Sequence, residues 1–575
     1  MDLTILKNAV NDGDFVLGLA LVKNIPENTW NEEISILSAS VYHAAGDLPH
    51  MFEAIRKGLL LNYKNYELYL LLGNYYEHFN ADQAYLCYEN ALYYCEDPDD
   101  AEIIRHFQTS LADRFSLDIR PVSIVMLTYN VKDLTIQSIE SIRQTLPPGS
   151  YELICVDNAS TDGIRDWLMG QDDIKLICNE TNAGFPAACN AGIKISQPDN
   201  DILLLNNDTV LFPNSVFWLR MGLYSSKKTG AAGSVSNMDL NDQTCSGRES
   251  SINGYEAYAR EHNVPEKYPY ESKIYLIGFA LLIRRYALDS IGLLDLRFSP
   301  GTFEDNDYGV RLQAAGFQCL LCHNSIIFHY GSGNGANHNG WCSVGFKNNA
   351  LFIEKHGYDL LHYIQPKAEL IDMIGHTPDD TFSVLEIGCG CGATLSKIKY
   401  LYPHATVHGM EIQPELACLG ANNHDIFCGN IEEGRLAYPA GSFDYIILGN
   451  LLAHLHDPQK NLCYLSGFLK PSGNILCSIP NVMHFSVILP LLKGNFTYQE
   501  YGILNRSHIH FYTLDSILSL FCDCGLHIVK SYSASSAPTQ EEAELLEKLP
   551  AVSAPADQKR FLAEKYLFSV EKAQT

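Results

Sequence analysis

Positive charge is what this 575-residue chain has least of: 40 Lys and Arg stand against 67 Asp and Glu, for a net charge of −27 at pH 7. A polyanion would be repelled, which argues against general affinity for nucleic acid. Long apolar runs are also missing, and none approaches the roughly 20 residues needed to span a bilayer. The opening residues, MDLTILKNAVNDGDF, lack the basic segment and apolar core of an export signal. The 17 cysteines are scattered. The closest pairs, Cys389/Cys391 and Cys522/Cys524, have one intervening residue where a zinc or redox pair has two, and read as small core or loop residues. Reduced thiols without an export signal lead to the expectation of a cytoplasmic protein. What remains is ordinary globular composition, 46% apolar and 19% charged, in a length that calls for several domains.

Residues 1–115 have sparse Gly and Pro, and apolar residues recur at three and four, so this region is expected to be helical. Ala39, Tyr42, Gly46 and Ile55 are answered by Gly73, Tyr76, Tyr88 and Ala91, and Ala39 to Gly73 is 34 residues. The stretch YLLLGNYYEHFNADQAYLCYENALYYCEDP resembles a tetratricopeptide repeat, which has that period. The resemblance implies paired helices with an apolar face left for a neighbour, an arm suited to docking protein.

From Pro121 the texture changes. VSIVMLTYN, YELICVDNAS and DILLLNNDTV are apolar runs that end on polar residues, with helical stretches between. Buried strands alternating with helices predict an α/β unit with a parallel sheet, whose ligands sit at the carboxyl ends of the strands. Those ends carry Thr128, Tyr129 and Asn130, then Asp157 and Asn158, then Asn206, Asn207 and Asp208. Farther on, Glu304, Asp305 and Asp307 fall within four positions, where mutual repulsion can raise one pKa toward that of a general base. Some acids of this region have a plainer reading: Asp162, in STDG, as a helix cap, and Glu304 or Asp307 as a partner of Arg311. His329 ends a short strand and offers a neutral imidazole.

In this order, VSIVMLTYN, VDNASTDG, NETNAGFPAACNAGI, LLLNNDTVLF, YLIGFALLIRR and GTFEDNDYGVRLQAAGF resemble the family 2 glycosyltransferases of the GT-A fold, in their rhamnosyltransferase-like branch, over about 120–357. The resemblance implies that Thr128, Tyr129, Asn130, Asp157, Asn158, Asn182, Gly184 and Asn207 bind a nucleotide-sugar donor. Asn206-Asn207-Asp208 stands where the family has D-x-D, so Asp208 and His329 would hold Mg²⁺ or Mn²⁺. Glu304-Asp305 stands where the family has its base, with Asp305 deprotonating the acceptor hydroxyl in an inverting transfer.

A second α/β unit is expected over 366–575. FSVLEIGCGCGATL reads as strand, glycine loop and helix, and VHGMEI as a strand ending in Glu411. With FDYIILGNLLAHLHDP and FLKPSGNILCSIPN, these stretches resemble the class I S-adenosylmethionine-dependent methyltransferases, with KYLFSVEKA as the last strand and 536–560 as an insertion. The resemblance implies cofactor binding by Glu386, Gly388, Gly390, Gly392, Glu411, Asn430, Ile431 and Asn450, Glu411 holding the ribose hydroxyls. His454, His508 and His510 are candidate bases for methyl transfer, although a histidine of this kind more often caps a loop or fills core. Acids common in the family are absent where Asn430, Asn450, Ala453 and Asn505 stand.

The expectation is thus a multidomain chain: an all-α repeat region (1–115), an α/β GT-A domain (120–357) and an α/β Rossmann-like domain (366–575), with an ordered connector over about 358–380. The implied function is bifunctional: sugar transfer to a protein or glycan acceptor, flagellin or surface polysaccharide among them, with O-methylation of the glycan. The alternative is a glycosyltransferase whose last domain is a noncatalytic binding or scaffold module.

Overall fold

The computed structural model describes residues 3–238, 241–245, 251–331, 338–547 and 558–573. They form two compact units, 1–359 and 360–575.

The first unit opens with seven helices, α1 (Leu3–Asn11), α2 (Phe15–Val22), α3 (Glu32–Ala44), α4 (Leu48–Leu61), α5 (Tyr66–Tyr76), α6 (Ala81–Tyr94) and α7 (Pro98–Arg114). Helices α2 to α7 each start on an Asn or Asp (Asp14, Asn31, Asp47, Asn65, Asn80, Asp97) whose side chain accepts a backbone N–H of the first turn. Those caps satisfy donors that a helix start leaves unpaired. Helix α3 packs on α4, and α5 on α6. Gly73 lets the second pair close, since a Cβ there would lie 2.2 Å from the Tyr88 ring.

Helix α6 also packs on the helix Ser215–Leu223 of the following α/β region. Asn80 Nδ2 donates to the Tyr224 carbonyl at 2.9 Å, Gln83 Nε2 to the Met221 carbonyl at 2.9 Å, and the Tyr94 hydroxyl to Asn214 Oδ1 at 3.0 Å. Tyr69 and Tyr88 share one apolar core with Trp218 and Tyr224. One face of the expected docking arm is therefore occupied within the chain.

The sheet of this unit has nine strands: β1 (Val122–Thr128), β2 (Tyr151–Asp157), β3 (Ile174–Cys178), β4 (Asp201–Asn206), β5 (Thr209–Leu211), β6 (Thr229–Val235), β7 (Tyr270–Lys273), β8 (Ala280–Ile283) and β9 (Gln318–His329). The order is β3-β2-β1-β4-β8-β6-β9-β5, with β7 also on β9. It is parallel from β3 to β4, as expected, but β8 runs antiparallel to both β4 and β6. ALLI is apolar throughout and buried on both faces, and such a run carries no mark of its direction. Register sets Thr128 opposite Asp157 and Leu127 opposite Asn206, so β1, β2 and β4 end at one edge. Cys319 and Cys322 of β9 have C-x-x-C spacing but belong to different cores, and burial pushes both thiols up. Residues three apart in a strand point to opposite faces, so these two cysteines are core residues.

The second unit is built on β10 (Ser383–Ile387), β11 (Thr406–Glu411), β12 (Asp425–Cys428), β13 (Phe443–Gly449), β14 (Leu469–Pro480), β15 (Leu526–Ser535) and β16 (Ala563–Lys572), in the order β12-β11-β10-β13-β14-β16-β15. All neighbours are parallel except β16, which runs antiparallel between β14 and β15. Leu370, Ile371, Met373 and Ile374 of the expected connector are buried against this sheet. Helix Gln540–Leu546 and the start of helix Gln558–Leu562 fall in the expected insertion, whose residues 548–557 lie outside the described ones. Among the described residues no helix is long and apolar enough to cross a membrane.

Candidate functional site

At the end of β1 the chain makes a left-handed turn at Asn130 and Val131 (φ 59° and 53°). A β-branched residue there costs about 1–3 kcal/mol, strain of the kind that collects at functional sites. The turn is locked to the end of β2: Asn130 N donates to Ser160 Oγ at 2.8 Å, and Thr161 N to Asn130 Oδ1 at 2.9 Å. Thr128 is buried, with no hydrogen-bond partner for its hydroxyl, and Tyr129 is half-buried. Asp157 is fully buried and receives Arg165 Nε at 2.7 Å. Arg165 had no signal in the sequence. Asp162 accepts Lys132 N at 2.7 Å and Ile164 N at 3.2 Å, a capping role.

Asn158 organises the next loop. Its Nδ2 donates to Asn182 Oδ1 at 2.7 Å, and its Oδ1 accepts Asn179 Nδ2 at 3.0 Å and Ala183 N at 2.9 Å. Asn182 Oδ1 also accepts Gly184 N at 2.9 Å. Gly184 has φ +83°, and a Cβ on it would lie 3.0 Å from Pro300 Cα. These three donor-site candidates thus build the loop itself.

In the triplet after β4, Asn207 Nδ2 turns to Thr135 Oγ1 at 2.8 Å. Asn206 and Asp208 meet His329: Asn206 Nδ2 and Asp208 Oδ1 each lie 3.3 Å from its Nε2. Antiparallel pairing of β5 with β9 sets Thr209 opposite His329 and so brings His329 to Asp208, 121 positions earlier. The His329 ring stacks on Phe279, centroids 5.2 Å apart and planes 13° apart. Phe279 also accepts Asn206 N at 2.8 Å through its carbonyl, and its neighbour Gly278 donates its N–H to Asp305 Oδ2 at 3.3 Å. One dipeptide therefore joins the Asn206–Asp208–His329 cluster to Asp305.

Asp305 lies in the first turn of the helix Glu304–Ala314, where the helix dipole favours negative charge. Glu304 is buried, and its Oε2 has no hydrogen-bond partner. Burial, and then the charge of Asp305, push the Glu304 carboxyl well above the usual range. Both effects favour the neutral form of Glu304, the member of the pair whose Oε2 is buried without a partner.

Asp307 has another task. Burial acts to raise its pKa, but hydrogen bonds from His356, Lys355 and Arg311 prevail and hold it at about 2. Arg311 Nε lies 2.8 Å from Asp307 Oδ2, the partnership weighed from sequence. An unfolded aspartate titrates near about 3.9, so ionised Asp307 contributes stability that is complete above that value and lost as pH falls through about 2. The contribution is roughly 2–3 kcal/mol. Asp307→Asn should lower the melting temperature of the first unit at pH 7, and the gap from wild type should narrow in melts at pH 3.

In the second unit, Gly388, Gly390 and Gly392 all have positive φ, and a Cβ on Gly390 would lie 2.8 Å from the Tyr363 ring. Glu411, at the end of β11, accepts Gly390 N at 2.8 Å and Gln413 N at 2.9 Å. Glu386 is fully buried, and Lys367 Nζ reaches it at 2.5 Å while also donating to the Gly388 carbonyl at 3.1 Å. Lys367 and Tyr363 come from the connector, which sequence reading left without a role. They line a cavity of about 350 Å³ with the glycine loop, Asn450 and His454. Asn430 caps the short helix Ile431–Glu433, whose Ile431 is buried. Asn450 N and Oδ1 are both bonded to Ser478. His510 Nε2 lies 3.3 Å from the His456 carbonyl, outside the lining of that cavity.

A polar strand edge with a hydrogen-bonded loop in one unit, and a glycine loop over a cavity in the other, are the two sites the chain presents. Residues 123–292 match the family pattern described as glycosyl transferase family 2, and residues 359–531 match that of a methyltransferase domain. The chain is thus a transferase with a family 2 glycosyltransferase domain and a methyltransferase domain. Among curated proteins, it is similar to a demethylmenaquinone methyltransferase of Listeria welshimeri, 26% identical over 175 residues that cover 27% of this chain and 73% of that one. It is also similar to a poly(ribitol-phosphate) beta-glucosyltransferase of Bacillus spizizenii, 37% identical over 93 residues, 15% of this chain and 14% of that one. Among solved structures, a SAM-dependent methyltransferase from Archaeoglobus fulgidus is 17% identical with a TM-score of 0.28, over 39% of this chain and 98% of that one. GalNAc-T7 with UDP, GalNAc and Mn²⁺ is 13% identical with a TM-score of 0.31, over 37% and 44%.

Proposed function

We propose that the first unit transfers a sugar from a nucleotide-sugar donor with inversion, and that the second binds S-adenosylmethionine and O-methylates the glycan product. The observation that supports the first part is the Gly278-Phe279 link, in which Gly278 N–H donates to Asp305 and Phe279 stacks on His329. Asp305 takes the proton of the acceptor hydroxyl, whose oxygen attacks the anomeric carbon as the nucleoside diphosphate departs from the opposite face. The buried Asp208 carboxylate fits a hard cation such as Mg²⁺ or Mn²⁺, and the His329 imidazole inclines the pair toward the transition metal, Mn²⁺. Such an ion would offset charge on the departing diphosphate. Among the described residues no cluster of three or more His, Cys, Asp or Glu could hold a metal, so the phosphates would supply the other ligands. Thr128, Tyr129, Asn130 and Asp157 line the base and ribose side, on the loop frame that Asn158, Asn182 and Gly184 build.

In the second unit the glycine loop, Glu386 and Glu411 would hold S-adenosylmethionine, which supplies an electrophilic methyl group. Lys367 favours a second reading. Its ammonium already occupies the space between Glu386 and the Gly388 carbonyl, as it would in a noncatalytic module. The acceptor is a protein or glycan, with flagellin and surface polysaccharide as the arms to test, and all 17 cysteines are free thiols, which supports a cytoplasmic location.

Two measurements test the reading. Hydrolysis of several nucleotide sugars with Mn²⁺ or Mg²⁺ should identify one preferred donor, and no turnover of any would overturn the first part. Calorimetry with S-adenosylmethionine, followed by labelled-methyl transfer to the glycosylated product, decides the second. Tight binding with no label in any acceptor selects the noncatalytic module.

A further inference from the structure

A second cavity, of about 310 Å³, adjoins the glycine-loop cavity of the second unit. The two share His362, Asn450, His454 and Asn505, so His454 stands at their junction. Nothing in the cofactor role assigned above uses this second space.

Its chemistry is specific. His454 Nδ1 lies 3.3 Å from the Ser507 carbonyl and His508 Nδ1 lies 2.8 Å from the Ile503 carbonyl. A carbonyl only accepts, so each ring carries its hydrogen on Nδ1, and in the neutral form each Nε2 presents a lone pair. The two rings meet edge to face with centroids 4.7 Å apart. Tyr501 is 53% exposed and packs against His362, centroids 4.2 Å apart, which leaves an aromatic surface open beside the cavity. Asn450, Asn505, Glu564 and Lys565 add amide, carboxylate and ammonium groups to the lining. An aromatic face ringed by hydrogen-bonding groups of both kinds suits a ring with an apolar C–H face and hydroxyls at its rim, which is a pyranose. A flat apolar acceptor would leave those polar groups unpaired on desolvation.

We propose that this cavity is the methyl-acceptor site, that it takes a pyranoside, and that His454 Nε2 accepts the proton of the sugar hydroxyl being methylated. The proposal rests on the reading of the second unit as a S-adenosylmethionine-dependent enzyme. In the step, the hydroxyl O–H bond breaks and its proton passes to His454 Nε2. The oxygen forms a bond to the methyl carbon. The carbon–sulfur bond breaks with its electron pair staying on sulfur, and S-adenosylhomocysteine and a methyl ether result. His454, now an imidazolium, returns the proton to solvent. Burial and the neighbouring His508 hold the His454 pKa below its usual value, so the ring is neutral at pH 7. The other titratable groups facing the cavities are His362, Tyr363, Lys367, Cys389, Tyr501, Glu564 and Lys565.

The test uses the full chain. S-adenosylhomocysteine should bind wild type and Tyr501→Ala with affinities within about twofold, and should still saturate His454→Gln, whose side chain lines both cavities. With that nucleoside bound, saturation-transfer NMR against methyl glucoside, methyl rhamnoside and methyl N-acetylglucosaminide should mark ring C–H protons of at least one. Tyr501→Ala, an exposed position, should erase that signal. With S-adenosylmethionine and the marked pyranoside, His454→Gln should lower kcat about 100-fold and leave KM within about threefold. The acidic limb of the wild-type pH profile, below the ordinary histidine range, should vanish in the variant. Absence of nucleoside binding in wild type would overturn the underlying reading of the unit. Nucleoside binding with no pyranoside contact, or undiminished transfer by His454→Gln, would overturn the acceptor site alone.

Discussion

Asp305→Asn should lower sugar transfer by a factor of about 10³ in kcat, within the 10²–10⁴ that a general base supplies, and leave nucleoside diphosphate affinity within about twofold. The replacement is isosteric. An asparagine oxygen can keep the Gly278 N–H that Asp305 Oδ2 accepts now, giving up the Asn306 N–H on Oδ1, so the loop before β8 stays in place, but an amide cannot take a proton from the acceptor hydroxyl. Glu304→Gln should behave differently. Burial and the charge of Asp305 push the Glu304 carboxyl well above the usual range, which favours its neutral form, so an amide is a close mimic and most of the rate should survive. Two adjacent carboxylates of the same helix turn would thus separate by orders of magnitude in one assay. Equal losses would mean that the pair acts as one proton-sharing unit, and a wild-type rate in Asp305→Asn would remove it as the base.

Much of this site is written in local pattern. The ends of β1, β2 and β4 were legible because a buried strand is an apolar run, and polar residues at its close stand out. The glycine loop after β10 was legible for a related reason, since left-handed backbone beside a cavity admits little else. What escaped is what depends on pairing across distance. The direction of β8 is set by its neighbours. The resemblance paired His329 with Asp208, but the β5–β9 register that brings them together shows in neither segment. The Arg165 bond to Asp157 and the Lys367 bond to Glu386 are made by long side chains on segments with no motif of their own. The helices before β1 read as a separate domain because their texture differs, yet Tyr69, Tyr88, Trp218 and Tyr224 fill one core. A composition boundary marks a change in secondary structure, and a core can cross it.

Asp208→Ala should abolish the mutual dependence of metal and nucleotide, with kcat falling about 10²–10³-fold, as when one fixed electrostatic partner of a transition state is removed. The argument begins with the triplet Asn206-Asn207-Asp208. Asn207 is turned to Thr135, and Asn206 is a neutral amide beside His329. Only Asp208 brings formal negative charge to the cluster, with one imidazole 3.3 Å away. A hard divalent cation prefers several oxygens, so this pair alone should hold it weakly. A diphosphate would add oxygens and charge, so each ligand should strengthen the other. Linkage makes that coupling reciprocal, and an energy of about 1–3 kcal/mol corresponds to roughly 5- to 150-fold. The factor by which Mn²⁺ tightens the nucleoside diphosphate must therefore equal the factor by which the nucleoside diphosphate tightens Mn²⁺. In Asp208→Ala both factors should fall to about one, while the nucleotide retains the affinity it has without metal, because the Asp157 side of the site is untouched. Tight Mn²⁺ binding by the bare wild-type chain, unchanged in Asp208→Ala, would leave the triplet as a turn between β4 and β5 and nothing more.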